Sequence, residues 1–368
     1  MLLYWIWLSR CKGLSVRERL KLTQRLGTAQ AVYEQGGLPE KDLSAAREIL
    51  DRCGQLGIQV LTAGDATYPR RLLAIADPPL VLYYKGVLPD FDREAAIGVV
   101  GTRKPSAYGL LCAERLARQI ASHGGLVISG MAAGIDAQAG WGALHAGAPT
   151  VGVLGGGVDT VYPASNRELY AAVERQGCLI SEYPPGTRPA SWTFPQRNRI
   201  ISGLSVAVLA VEAPEKSGTM ITARDAQKQG RDLYVVPGHI DSDFCAGSNA
   251  LLREGARVAT CGWDVLRAYE GQFPDKLHRR VVERPEPVLA PAPKPAPAIP
   301  QPAPHPKAAA ATADEQAVLD ALAGGERNYD EIIAASGLDS QKALAVLTML
   351  EIKGMVKTLP GRRAIRNS

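Results

Sequence analysis

Residues 192–205 read Trp-Thr-Phe-Pro-Gln-Arg-Asn-Arg-Ile-Ile-Ser-Gly-Leu-Ser and gather groups suited to a polyanion. Arg197, Asn198 and Arg199 follow Phe194 and Pro195 at an expected helix start. Proline fits a first helical turn, where its missing N–H would be unpaired anyway. A helix start also offers free N–H donors and the positive end of the helix dipole. Two guanidinium forks and an aromatic ring there suit a phosphate backbone with unpaired bases beside it. The same residues admit a plain alternative. The arginines would neutralise buried acids such as Glu182 or Glu212, and Phe194 would belong to the core.

Glycine loops supply a second set of candidate anion ligands. Gly101-Thr102-Arg103 follows an apolar run at 97–100. Ser129-Gly130-Met-Ala-Ala-Gly134-Ile-Asp136 follows 126–129, and Gly155-Gly-Gly-Val-Asp159-Thr-Val-Tyr-Pro163 follows 150–154. Ser217-Gly218-Thr219 repeats the arrangement beyond the run ending at Val211. Glycine lets the backbone approach an anion closely, and amides at the next helix start donate to it. Arg103 adds a bidentate phosphate ligand. These loops would serve a nucleotide pocket as readily as a polymer groove. However, Gly-x-Gly-x-x-Gly spacing and a Walker A sequence are both missing, so no nucleotide cofactor and no ATP hydrolysis are expected.

The elements that must position these loops alternate. Short apolar runs at 97–100, 126–129, 150–154, 179–181, 205–211, 233–236 and 257–260 read as buried strands. Helical patterns fall between them at 107–122, 134–146, 165–176, 196–203, 219–229 and 248–254. That order predicts a parallel, doubly wound, Rossmann-like α/β sheet, with ligands at the strand C-terminal ends. Residues 1–67 predict a small helical module of helix-hairpin-helix type, with Ser15 as an N-cap. Such modules hold nucleic-acid backbone or make protein contacts. The expected sheet domain spans 68–275 and opens with a proline-punctuated connector at 68–92.

Residues 285–306 contain ten prolines, which makes 276–312 an extended linker. Residues 313–368 predict three helices and a hairpin, a winged-helix module. From 314 onward seven Lys/Arg face eight Asp/Glu, so its partner is DNA or protein with no preference from charge.

Composition narrows the class further. A net charge of +5 permits an anionic partner without demanding one. The six cysteines are scattered, without metal-ligand spacing, which predicts reduced thiols, no metal and a cytoplasmic setting. The apolar start at 1–8 is too short for a membrane span and lacks signal-peptide features. No serine or cysteine nucleophile sits in a catalytic pattern, the five histidines are dispersed, and no catalytic residue is assigned.

With these blocks assembled, the chain resembles the DNA-processing protein A family (DprA, also called Smf). The resemblance rests on the loops at 101–103, 129–136 and 155–163. It extends through Ser181-Glu-Tyr-Pro-Pro-Gly186, 194–205, Ser217-Gly-Thr-Met-Ile-Thr-Ala223, Val236-Pro-Gly238 and Gly247-Ser-Asn249. It implies an extended Rossmann core that binds single-stranded DNA without sequence preference and works in natural transformation. It further implies loading of a RecA-type recombinase past single-strand-binding protein, and a homodimer. The DNA-binding residues it implies are Arg103, Phe194, Arg197, Asn198 and Arg199, beside the glycine-loop ligands. Binding should then depend steeply on salt. Two other functions stand beside this one. The first is a nucleotide phosphoribohydrolase, whose Pro-Gly-Gly-x-Gly-Thr-x-x-Glu loop is matched only by 215–222, with Thr222 in place of the glutamate. The second is a recombinase-binding scaffold with secondary DNA contact.

Overall fold

The computed structural model describes residues 1–38, 41–279, 312–359 and 361–367. The chain forms two compact units, residues 1–283 and 284–368.

The first unit is built on nine strands: β1 (Gln59–Thr62), β2 (Val81–Gly86), β3 (Ala96–Val100), β4 (Leu126–Ser129), β5 (Thr150–Val153), β6 (Cys178–Ser181), β7 (Ala207–Ala210), β8 (Asp232–Val235) and β9 (Arg257–Val258). Their order across the sheet is β1-β2-β6-β5-β4-β3-β7-β8-β9. From β6 to β9 all neighbours are parallel, and β1 and β2 add an antiparallel edge. Side chains alternate along each strand, so the sheet buries both faces. Val100, Ile128, Val153, Ile180 and Val208 pack on one side with Ile200, Ile201 and Leu204 of helix Thr193–Leu204. Ile97, Val99, Val127 and Leu209 pack on the other, with Ala113, Leu116 and Ile120 of helix Ala107–Ser122.

The expected parallel sheet is present, but its beginning differs. The expected boundary at residue 68 cuts off β1, which pairs Gln59 with Tyr84 and Thr62 with Val81. Within the expected connector, β2 is a true strand whose Val81, Leu82 and Tyr83 are buried. Prolines 69, 78, 79 and 89 surround it without entering it. The helices Leu2–Arg10, Val16–Leu26, Ala29–Gln35 and Ser44–Gln55 are not a separate body either. Trp5, Trp7, Leu8, Val32 and Cys53 share one apolar cluster with Val81, Tyr83 and Leu179 of the sheet. Ser15 caps its helix as expected, in a reciprocal capping box with Glu18.

At the other end the domain runs past residue 275. Leu277 is buried, and the His278 N–H donates to the His123 carbonyl at 3.0 Å. The proline-rich stretch 285–306 lies outside the described residues.

The second unit holds helices Ala313–Ala321, Tyr329–Ser336 and Ser340–Ile352. Strands β10 (Arg327–Asn328), β11 (Val356–Leu359) and β12 (Arg363–Arg366) form an antiparallel sheet in the order β10-β12-β11. Its core is Val318, Leu319, Ile332, Leu347, Leu350 and Val356. Three helices with a terminal hairpin make a winged helix. Among the described residues of the chain, no helix is long and apolar enough to cross a membrane.

Candidate nucleic-acid interface

Sheet order decides where a ligand can sit. From β3 the chain steps outward through β4, β5 and β6, then returns to place β7 on the opposite side of β3. The loops leaving β3 and β7 therefore diverge, and a crevice opens between them at this switch in winding direction. An open cavity of about 770 Å³ lies there. Gly101, Thr102 and Arg103 line it from the β3 loop, and Ser217, Gly218 and Thr219 line it from beyond β7. The first turn of helix Thr193–Leu204 adds Phe194, Pro195, Arg197 and Asn198. Nine of the residues expected from sequence thus share one cavity.

Arg103 is exposed, and its guanidinium carbon lies 4.5 Å from the centre of the Phe194 ring. The other neighbour of Phe194 is Tyr162, stacked at 5.5 Å and 30° and itself 47% exposed. Cation, ring and ring form a short wall. The cation–π contact orients Arg103 while leaving its N–H groups free for an anion.

Arg197 behaves differently. It is 3% exposed, and its Nη1 donates to the carbonyls of Gly130 and Val153. Asp136, 6% exposed, accepts from the backbone N–H groups of Gly130 and Ala132 and feels the charge of Arg197. Burial pushes the Asp136 carboxyl up, while Arg197, the two amides and the charge of Arg103 pull it back. A Cβ on Gly130 would sit 2.5 Å from the Asp136 carboxylate and 2.6 Å from the Arg197 guanidinium, so only glycine fits beneath this pair. Gly134, at φ +80°, is packed against the Thr102 carbonyl and so braces the first loop. Asn198 accepts from Arg197 Nε at 3.1 Å and reaches the Gly218 carbonyl at 3.5 Å, the outer limit for such a bond. Arg197 is the cavity floor, and Asn198 ties that floor to the loop beyond β7.

Arg199 does not join the cavity. Positions two apart on a helix point about 200° away from each other. Its Nη2 pairs with Glu182 at 2.6 Å and its Nε with Asp77 at 3.3 Å. It lines a separate concavity of about 350 Å³ with Arg19, Glu182 and Pro184. The two forks expected to converge are both committed internally: Arg199 is sealed in ion pairs because helical geometry turns it away, and Arg197 is buried on main-chain carbonyls. Neutralisation of Glu182 by an arginine, the plain alternative, is what Arg199 does. Glu212 is satisfied otherwise, by the Ser106 N–H at 2.8 Å and Ser106 hydroxyl at 2.6 Å, which cap the next helix. Replacing Arg199 by alanine should therefore cost about 2 kcal/mol of stability, as a mostly buried pair is broken. Affinity for single-stranded DNA should change by less than about threefold. Urea unfolding and fluorescence anisotropy would measure the two effects, and a large loss of affinity at unchanged stability would return Arg199 to the interface.

Ser129 is also internal, donating to the Val99 carbonyl at 2.7 Å. Gly130 lies in a smaller adjoining hollow of about 70 Å³ with Tyr162 and Phe194. Sequence reasoning passed over Lys104, Tyr162, Pro189, Ser191 and Phe244 as ligands, all of which line the main cavity. Tyr162 was visible at the end of the third glycine loop, whereas nothing in the 236–247 loop marked Phe244. Among the described residues no group of His, Cys, Asp and Glu has metal-binding geometry.

The family model described as DNA recombination-mediator protein A matches residues 59–270. The chain belongs to that family. Its match begins at β1, in agreement with the sheet and not with an origin at residue 68. A second model, the DprA winged helix domain, matches residues 301–362. Among relatives, the DNA processing protein DprA of Bacillus subtilis is 38% identical over 231 residues, 63% of this chain and 75% of its own length. A putative DNA processing protein DprA of Mycobacterium tuberculosis is 32% identical over 335 residues, 88% and 80% of the two chains. The solved DNA processing protein A of Streptococcus pneumoniae superposes with a TM-score of 0.63 at 31% identity, covering 73% of this chain and 98% of that one. That of Helicobacter pylori, described for its single-stranded DNA binding mode, gives 0.52 at 29% identity, covering 60% and 97%.

Proposed function

We propose that this member of the DNA recombination-mediator family binds single-stranded DNA without reading its sequence, and that Arg103 and Phe194 are the centre of the contact. The observation that carries the reading is the exposed Arg103 guanidinium on the Phe194 ring, inside an open cavity at the sheet's switch point. Backbone amides and a fork hold phosphates, and rings accept any base face. The glycine-loop residues Gly101, Thr102, Ser217, Gly218 and Thr219 supply the close-approaching main chain. Ser129, Gly130 and Gly134 support these loops from behind.

In the cell this chain would protect incoming strands in natural transformation, hand them to a RecA-type recombinase past single-strand-binding protein, and work as a cytoplasmic homodimer. It would do so without catalysis. Asp136 is the only carboxylate lining the cavity among the described residues, and Arg197 and two amides already occupy it. Thr222, where a phosphoribohydrolase loop carries its glutamate, also lines the cavity and offers no acid. The test is a fluorescence-anisotropy titration with an oligonucleotide of about 20 nucleotides, single-stranded or annealed to its complement. At about 0.15 M salt the single strand should bind at least tenfold tighter, and homopolymers should differ little. Equal affinity for the duplex, or a strong preference for one base, would overturn the reading.

A further inference from the structure

Trp192 stands immediately before helix Thr193–Leu204 and is 59% exposed. The other tryptophans are covered: Trp5 and Trp7 are buried, and Trp141 and Trp263 are half-buried. Trp192 does not line the cavity, although its neighbours Ser191 and Phe194 do. It occupies the rim. Its ring meets Tyr183 edge-on at 6.1 Å, and the Tyr183 hydroxyl donates to Gln196 Oε1 at 3.0 Å. The tryptophan is thus buttressed from below by a residue that is itself pinned, while most of its apolar surface meets water. Tryptophan carries one of the largest apolar areas of any side chain, so leaving it exposed wastes burial that the core could use.

The nearby acids are already paired, Glu182 with Arg199 at 2.6 Å and Asp159 with Arg52 at 3.2 Å. Residues 187–199 contain Arg188, Arg197 and Arg199 and no Asp or Glu. Arg197 and Arg199 are committed internally, whereas Arg188 is exposed. A stacking face and a free cation four residues apart, continuous with a cavity already carrying Arg103 and Phe194, form the pairing that a nucleotide meets on a single-strand-binding surface.

We propose that Trp192 is a second base-stacking platform on the rim of the cleft, with Arg188 meeting the adjacent phosphate, so that the bound strand continues out of the cavity over residues 187–192. This rests on the single-strand reading above. The occupant is further nucleotides of the same strand.

The experiment compares single-stranded oligothymidylates of about 4 and about 20 nucleotides on the full chain. Trp192→Ala should weaken the longer oligonucleotide by about 5- to 100-fold, as loss of one stacked base predicts, and leave the shorter one within about twofold. Trp192→Phe should retain most of the affinity. The slope of log K against log salt should not change in Trp192→Ala, but should fall by about 0.7 in Arg188→Ala. Tryptophan fluorescence should be quenched by the longer oligonucleotide in the parent chain and much less in Trp192→Phe. If Trp192→Ala binds the longer strand as the parent does, or loses the same factor for both lengths, the platform is refuted. Arg103→Ala, measured alongside, separates this outcome from failure of the single-strand reading, which would leave that variant unimpaired as well.

Discussion

Replacing Arg197 by methionine is expected to destabilise the sheet-containing unit by about 3–5 kcal/mol, the cost of leaving a buried charge unpaired. The guanidinium is 3% exposed and satisfies the carbonyls of Gly130 and Val153. It also faces Asp136, which is 6% exposed. Methionine fills much of the volume but offers no donor. Two carbonyls lose a partner, and Asp136 keeps its backbone amides and the more distant charge of Arg103. The total stability of a domain is about 5–15 kcal/mol, so this single change removes a large part of it. The double variant Arg197→Met/Asp136→Leu should recover part of the loss, because removing both members of a buried pair costs less than removing one. Urea unfolding monitored by circular dichroism measures both. A single variant as stable as the parent would show that Arg197 is not the structural floor described above.

Arg103→Ala should give the opposite pattern: unchanged stability and a large loss of single-strand affinity. The side chain is exposed, so its removal leaves no buried group unsatisfied. What disappears is one charge-assisted phosphate contact, worth about 1.5–3 kcal/mol. Affinity should fall about 10- to 100-fold. The salt slope should decrease by about 0.7, the share of one phosphate on a single strand. Arg103→Lys should retain that slope while losing part of the affinity, since an ammonium keeps the charge without the planar fork. Fluorescence anisotropy across a salt series reads all three quantities. An alanine variant within twofold of the parent would remove Arg103 from the interface.

These two arginines show what residue types alone reveal and what depends on packing. The helix boundaries at 107–122 were readable because Ser106 offers a cap and the apolar face repeats with helical period. Six of the seven parallel strands were readable because each is a short buried apolar run near glycine, whereas β9, expected as a buried strand over 257–260, is the exposed pair Arg257–Val258 at the sheet edge. Strand β2 escaped because the prolines around it dominated its own apolar pattern, and β1 because Gln59–Thr62 follows helix Ser44–Gln55 closely, inside a stretch read as helical throughout. At the interface, residue types pointed to the correct helix start and the correct loops. Facing was the missing quantity. The spacing of Arg197 and Arg199 already implied opposite sides of a helix, yet which side met the cavity depended on how Ile200, Ile201 and Leu204 dock on the sheet. Gly130 read as an anion-binding glycine, whereas its smallness serves the Asp136–Arg197 pair packed above it. Such close packing arises between segments distant in the chain and leaves no local signal.

The central claim is that a single strand lies against Phe194 and Tyr162 at the sheet's switch point. Photo-crosslinking of a 5-iododeoxyuridine-substituted single strand to the full chain, followed by mass spectrometry of the peptides, tests it most directly. Crosslinks should fall on peptides carrying Tyr162 and Phe194 and should vanish in excess unlabelled single strand. Crosslinks confined to residues 312–367, with none on the cavity wall, would contradict it.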